Sequence, residues 1–326
     1  MNPTSPLITR ARQAVDRRPL AAFFLLAFAF SWLFWLISRA VSALDPFAAR
    51  HLIAAGAFGP ALAAFALSLL QADANEHPPR WDAALYAWLA TGLLYLVCLP
   101  YASTMPSQTG TAGWLSRALL WGGPALVLGL ALTPRESLHR LVLPAGSQPL
   151  KPAWYAAAFL FFPLALLAGY AIDLALGGPV QVTFTGSILE IVLTIAASLV
   201  YMTLFGGPLG EESGWRGYAL PRLQARISPL LASLLLAAAW VLWRLPLMLG
   251  TALPDLLPLL LSPFLTAFLY TWLYNRTRGD LLACLLFHAA ATTALVFLPL
   301  TPAAIGTLAA SSLAVVIAGR MWRMSA

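Results

Sequence analysis

The sequence predicts an all-α polytopic membrane protein, and three observations carry that expectation. Only 10% of its residues are charged against 60% hydrophobic, under half the charge of a soluble domain, which is about 25%. Long apolar stretches recur from one end of the chain to the other, each of about the length that spans a bilayer as a helix. These stretches do not alternate apolar and polar residues at period two, as the strands of a membrane barrel do. The expected architecture is 8–10 transmembrane helices with a core bundle carrying the polar motifs. No polar segment is long enough to build a soluble domain.

In chain order, residues 1–18 form a polar, basic segment, 19–187 the N-terminal transmembrane helices, 188–298 the core, and 299–326 a final helix with a short tail. Ten spans are predicted, at 20–38, 51–71, 82–101, 114–132, 153–176, 188–208, 230–250, 255–274, 280–298 and 300–319. The first resembles a signal peptide, with Arg17 and Arg18 ahead of it and Val41-Ser42-Ala43 behind. Its apolar run exceeds the usual 7–15 residues, so it reads as an uncleaved helix. The stretches 72–81, 102–113 and 133–152 are rich in Pro, Gly, Ser or charge and read as turns. Pro299 and Pro302 mark either a turn between the last two spans or a kink. Cys98 and Cys284 fall inside spans and offer no disulfide framework.

Charge asymmetry orients the bundle. With the N-terminus and every second connection on one side, that side holds Arg10, Arg12, Arg17, Arg18, Arg80, Arg135, Arg140, Lys151, Arg216, Arg222, Arg226, Arg276, Arg278, Arg320 and Arg323. The other side keeps Arg39 and Arg50, while Arg117 and Arg244 fall inside spans. The positive-inside rule therefore predicts both termini in the cytoplasm. The formal net charge of +7 is accounted for by topology and by contact with anionic headgroups of the lipid bilayer. The cations are dispersed, so no nucleic-acid partner is expected.

Three constellations could carry chemistry. The first is Gly206-Gly207-Pro208-Leu209-Gly210-Glu211-Glu212-Ser213-Gly214-Trp215-Arg216-Gly217. Residues four apart share a helix face, so Glu212 and Arg216 can pair. Glu211 is turned about 100° away from Glu212 and is left available. A carboxylate in apolar surroundings holds a proton more readily, which suits a general base near neutral pH. The second constellation runs from Trp240 through Arg244 to Pro246. Arg244 lies deep in an apolar run, where an unpaired charge costs about 2.5–3.5 kcal/mol, and Glu211 is its best acidic partner. That pairing would put the site about 21 Å along the helix at 1.5 Å per residue, deeper than a cytoplasmic site needs. Pro246 should kink this span. The third is His288 with Thr292, again four apart, with three alanines between them that would let a helix or substrate approach closely.

The segment Gly206 to Gln224 resembles the first motif, EExxxR, of the CAAX prenyl protease type II and bacterial Abi-type superfamily, the CPBP family of intramembrane proteases. Trp240–Pro246 stands where that family has an aromatic followed four residues later by His. His288–Thr292 stands where it has HxxxN or HxxxD, and Gly56-Ala57-Phe58-Gly59-Pro60 is typical of bacterial members. The resemblance covers roughly 190–298. It implies an intramembrane endopeptidase, in a bacterial plasma membrane, acting on a membrane-anchored protein or peptide that in some members is prenylated. It further implies that Glu211 activates water near the cytoplasmic face, that Glu212 and Arg216 support it, and that His288 and the residue at 292 polarise the scissile carbonyl. No cofactor and no metal are expected, since zinc sites take three or more protein ligands and the motifs bring one histidine.

Two positions depart from the pattern. Arg244 replaces the second-motif histidine and cannot relay a proton, because arginine stays charged; it could instead stabilise an oxyanion or grip a carboxylate. Thr292 replaces the third-motif Asn and keeps one hydrogen-bond donor. The alternative expectation is an impaired relative that binds membrane proteins or peptides. A small-molecule transporter is a weaker one, because no internal repeat is visible.

Overall fold

The computed structural model describes residues 6–71, 81–98, 111–132, 138, 141–142, 150–178, 186–298 and 300–324. Among these residues the elements are helical: α1 (Pro6–Arg17), α2 (Pro19–Val41), α3 (Pro46–Gly56), α4 (Gly59–Gln71), α5 (Trp81–Cys98), α6 (Thr111–Ala131), α7 (Pro152–Ala175), α8 (Ile188–Phe205), α9 (Pro208–Gly214), α10 (Leu220–Gln224), α11 (Pro229–Met248), α12 (Leu253–Arg276), α13 (Leu281–Phe297) and α14 (Pro302–Ala318). All ten predicted spans correspond to helices. Five helices are long and apolar enough to cross a membrane alone, and α3 with α4 makes a sixth as a bent pair. Among the described residues, the stretches Asp82–Cys98 of α5 and Leu120–Ala131 of α6, with α13 and α14, are shorter apolar helices. The chain is an all-α, multi-pass integral membrane protein. The predicted turns at 72–81, 102–113 and 133–152 lie for the most part outside the described residues.

Proline and short polar side chains set many of the helix starts. Proline occupies the first turn of α2, α3, α7, α9, α11 and α14, where its missing N–H is not needed. Asp45, Ser187, Ser228, Asp280 and Thr301 cap α3, α8, α11, α13 and α14 by accepting backbone N–H groups. Thr301 thus starts a new helix after α13 has ended at Phe297, and Pro299 lies outside the described residues. Pro246 lies inside α11, which ends two residues later at Met248. Cys98 and Cys284 are free and buried.

The distribution of side chains is that of a body solvated by lipid. Leucines such as Leu25, Leu33, Leu93, Leu164 and Leu313 face outward, while Trp35, Trp215, Trp243 and Arg216 are among the largest fully buried side chains. The predicted span 51–71 is in fact a pair of helices meeting at 41°. Pro60 brings no N–H to the helix and crowds the carbonyl four residues back, at Gly56. That carbonyl accepts instead from Ser31 Oγ at 2.7 Å. The same face of α2 makes two further bonds to α3, Trp35 Nε1 donating to Ile53 O at 2.9 Å and Ser38 Oγ to Ala49 O at 3.0 Å. Backbone polar groups freed at a break inside a membrane have to be satisfied by neighbouring side chains, and here α2 supplies them.

The break in turn seats the short helix α9. Cβ atoms added at Gly210 and Gly214 would lie 2.7 Å from Ala57 O and 2.5 Å from Pro60 O. The two glycines, four apart, let α9 press its backbone against the bend, as small-xxx-small faces do in membranes. Gly214→Ala is expected to cost about 1–3 kcal/mol through overpacking, read as a lower thermal midpoint in detergent. Gly306→Ala, where an added Cβ meets nothing within 4 Å, should leave the midpoint unchanged or raise it.

Candidate active site

The side chains of the first motif are placed by local irregularities in the chain. Gly207 turns the backbone from α8 into α9 with φ of 114°, a conformation that favours glycine. A Cβ there would sit 2.5 Å from Glu211 Oε1, so the missing side chain also leaves room for the carboxylate. After Gly214 the helix widens into a π-turn over Trp215–Ala219, in which Leu220 N–H reaches back to Trp215 O. Pro221, just beyond, cannot donate and crowds Gly217 O. Such π-turns are frequent at functional sites. This one carries Arg216 and precedes α10.

The adjacent carboxylates, turned apart on α9, take different partners. Glu212 Oε1 accepts from Arg216 NH1 at 2.9 Å and lies 2.7 Å from His288 Nδ1. Arg244 NH2 bridges Glu211, 3.0 Å from Oε1 and 3.3 Å from Oε2. Glu211, Glu212 and Arg216 are each 2% exposed, so two buried negative charges are matched by two arginines, as buried charges require. The arginines also use the ring of Trp240, with guanidinium carbons 5.2 Å (Arg216) and 4.9 Å (Arg244) from its centroid. Arg216 lies 3.9 Å from the Tyr270 centroid as well. Cation–π contacts of this kind are worth about 2 kcal/mol or more when desolvated.

Two sequence expectations are corrected by this arrangement. Glu211 is not a free carboxylate, because Arg244 reaches it from α11. Arg216 is not one of the cations of a cytoplasmic loop, because its segment is helical and lies in the core against α4 and α13. The ion pair between Glu212 and Arg216 forms as their spacing predicts. The pairing of Arg244 with Glu211 also forms, and with it the depth. Arg244 stands 15 residues past Pro229, about 22 Å along α11.

A cleft adjoins these groups among α7, α11, α12, α13 and α14, and Trp240, Arg244, Thr266, Tyr270, His288 and Thr292 help line it. Neither glutamate belongs to its lining. The Arg244 side chain, 32% exposed, reaches from Glu211 to the cleft. Other lining residues, among them Pro258, Leu261, Leu295 and Leu300, lie toward the α11–α12 and α13–α14 turns. The cleft therefore extends away from the end of the bundle that carries Arg222, Arg226, Arg276 and Arg278. Thr292 lines the cleft, but its one hydroxyl proton is directed at His288 O (3.0 Å) and Ala289 O (3.1 Å) of its own helix.

Two aromatic residues also contribute, and of these the sequence singled out only Trp240. Trp240 Nε1 is buried without a partner among the described residues and belongs to a residue lining the cleft. Tyr270, which packs its ring on both Arg216 and His288, had no signal in the sequence. Among the described residues no three His, Cys, Asp or Glu side chains group as a metal site would need.

The fold and the buried carboxylate–arginine–histidine cluster define a class, a helical membrane protein with an ionisable centre inside the bundle, where such groups are by default functional. Residues 193–294 match the family described as type II CAAX prenyl endopeptidase Rce1-like, and that segment contains Glu211, Glu212, Arg216, Arg244, His288 and Thr292. The chain is also 34% identical, over 91 residues, to "CAAX prenyl protease 2" of Methanococcus maripaludis. That match covers 28% of this chain and 32% of the relative, so the two share about a third of the relative's length. Both findings make the segment that carries the cluster similar to CAAX prenyl proteases.

Proposed function

We propose that the chain is an intramembrane endopeptidase of the CAAX-processing or Abi type, hydrolysing a membrane-anchored protein or peptide, prenylated or not, in the cleft between α11 and α14. One observation carries this reading. Arg244 and His288 reach the cleft, and each is hydrogen-bonded at its back to a buried glutamate. In such a site a base takes a proton from water as its oxygen attacks the scissile carbonyl, a fixed cation steadies the oxyanion, and the proton then passes to the leaving amine. With the basic end of the bundle in the cytoplasm, the bond would be cut well inside the bilayer rather than at its cytoplasmic surface.

The family resemblance assigns the base to Glu211. Arg244 covers that carboxylate, so this assignment needs Arg244 to swing into the cleft before water can reach it. The geometry favours a second assignment. Glu212, held by Arg216, accepts from His288 Nδ1–H. In neutral histidine that leaves Nε2 as the acceptor, so His288 is able to take the proton of water while Arg244 supplies the fixed charge. The tautomer is inferred from the carboxylate on Nδ1.

Arg244→His separates the two assignments by sign. If Glu211 is the base, the variant uncovers it, adds the family's proton-relaying group and raises cleavage about 10-fold or more. If His288 is the base, the variant removes the oxyanion stabiliser and lowers cleavage about 10²–10³-fold. The measurement is initial cleavage rate in proteoliposomes at matched protein density. A relative that only binds peptides would instead keep its biological role in Glu211→Gln.

A further inference from the structure

We propose that the basic end of the bundle holds an anionic phospholipid, with its headgroup among Lys151, Arg276 and Arg320 and an acyl chain in the pocket beneath them. A second pocket lies between α7, α12, α13 and α14 and shares no residue with the cleft. Its lining is apolar, and Trp154, Phe161, Trp272, Phe287 and Val315 give its shape. Trp154 belongs to the first turn of α7, Trp272 to the last turns of α12 and Val315 to the last turn of α14. The pocket mouth is therefore at the end where these helices carry their cations. Phe161, nine residues beyond Pro152, puts the floor about 14 Å deeper, a depth that takes a lipid tail rather than a headgroup.

The cations surround the tryptophan pair. The Trp154 and Trp272 ring centroids are 5.9 Å apart. The Arg276 guanidinium lies 6.0 Å from the Trp272 ring. Gly319 passes the same ring so closely that a Cβ would be 3.0 Å from Trp272 Cδ1, and Arg320 follows it. Lys151 precedes α7, three residues before Trp154. All three cations are exposed, and none has a carboxylate partner among the described residues. Trp272 Nε1 is buried with no acceptor among those residues, a donor suited to an ester carbonyl or a phosphate oxygen. Cations at the rim, indoles at the interface and an apolar slot below are together complementary to an anionic lipid, as basic pockets between membrane helices generally are.

The test uses the full chain, purified in a non-ionic detergent. Its thermal midpoint is followed as dioleoyl-phosphatidylglycerol, dioleoyl-phosphatidylcholine or glycerophosphoglycerol is added. Phosphatidylglycerol should raise the midpoint by about 2–4 °C and appear as a bound lipid in native mass spectra. Phosphatidylcholine and the chainless headgroup should do neither. The exposed-site variant Lys151→Gln/Arg276→Gln/Arg320→Gln should fold with the wild-type midpoint in detergent alone and lose the response. Trp272→Phe, which keeps a ring and removes the N–H, should weaken it. Equal shifts with phosphatidylcholine, a full response to the headgroup alone, or an unchanged response in the triple variant would each overturn the proposal.

Discussion

Arg216→Met is expected to lower the stability of the bundle by about 3–5 kcal/mol, the cost of breaking a buried pair from one side. Arg216 and Glu212 are each 2% exposed and 2.9 Å apart. Methionine fills similar space but leaves Glu212 negative beside His288, with its second oxygen already lacking a partner among the described residues. It also removes the cation seated on Tyr270 and Trp240. Glu212→Gln in the same protein should restore part of the loss, because the uncompensated charge disappears while a hydrogen-bond acceptor for His288 remains. Thermal unfolding in detergent of the wild type, both single variants and the double variant gives the coupling directly. Additive losses would mean that the pair does not contribute as described.

The second large effect falls on cleavage. Removing the group that takes the proton from water should lower the rate about 10²–10⁴-fold, and the site offers two groups for that role. Glu211→Gln keeps an acceptor for Arg244 and changes little in shape. His288→Gln keeps a donor toward Glu212 and removes the imidazole. Under the His288 assignment, His288→Gln shows the large loss, whereas Glu211→Gln, which only loosens Arg244, loses about 10-fold or less. Under the Glu211 assignment the order reverses. The comparison is of kcat at saturating substrate, with folding checked by the thermal midpoint.

What the sequence made legible was governed by local physics. Ten apolar runs became helices because a backbone in lipid has to satisfy its own hydrogen bonds, and prolines at helix starts and small polar caps mark many of the boundaries. The spacing of Glu212 and Arg216 was enough to pair them, since both lie on one helix. The partner of Glu211 was named from the cost of burying Arg244, but the carboxylate was still expected to be free, because its pairing joins residues 33 apart. Arg216 was placed among loop cations for a related reason. The stretch 208–219, with three charges and three glycines, resembles a loop until Tyr270, Trp240 and His288 are brought against it from other helices. The π-turn and the two-helix form of the second span both depend on proline. Pro60 was visible within the Gly56–Pro60 motif, but its consequence needed Ser31 on α2 to satisfy the opened carbonyl.

The measurement that bears most directly on the central claim is mass-spectrometric detection of cleavage products in proteoliposomes. The substrates are a prenylated CaaX peptide and a library of membrane-tail peptides. The wild type is predicted to release a defined product from at least one of them, and the Glu211→Gln/His288→Gln double variant, folded to the same midpoint as a control, to release none. No product from the wild type with any substrate, or the same product at the same rate from the double variant, would contradict the assignment of proteolysis to this cleft.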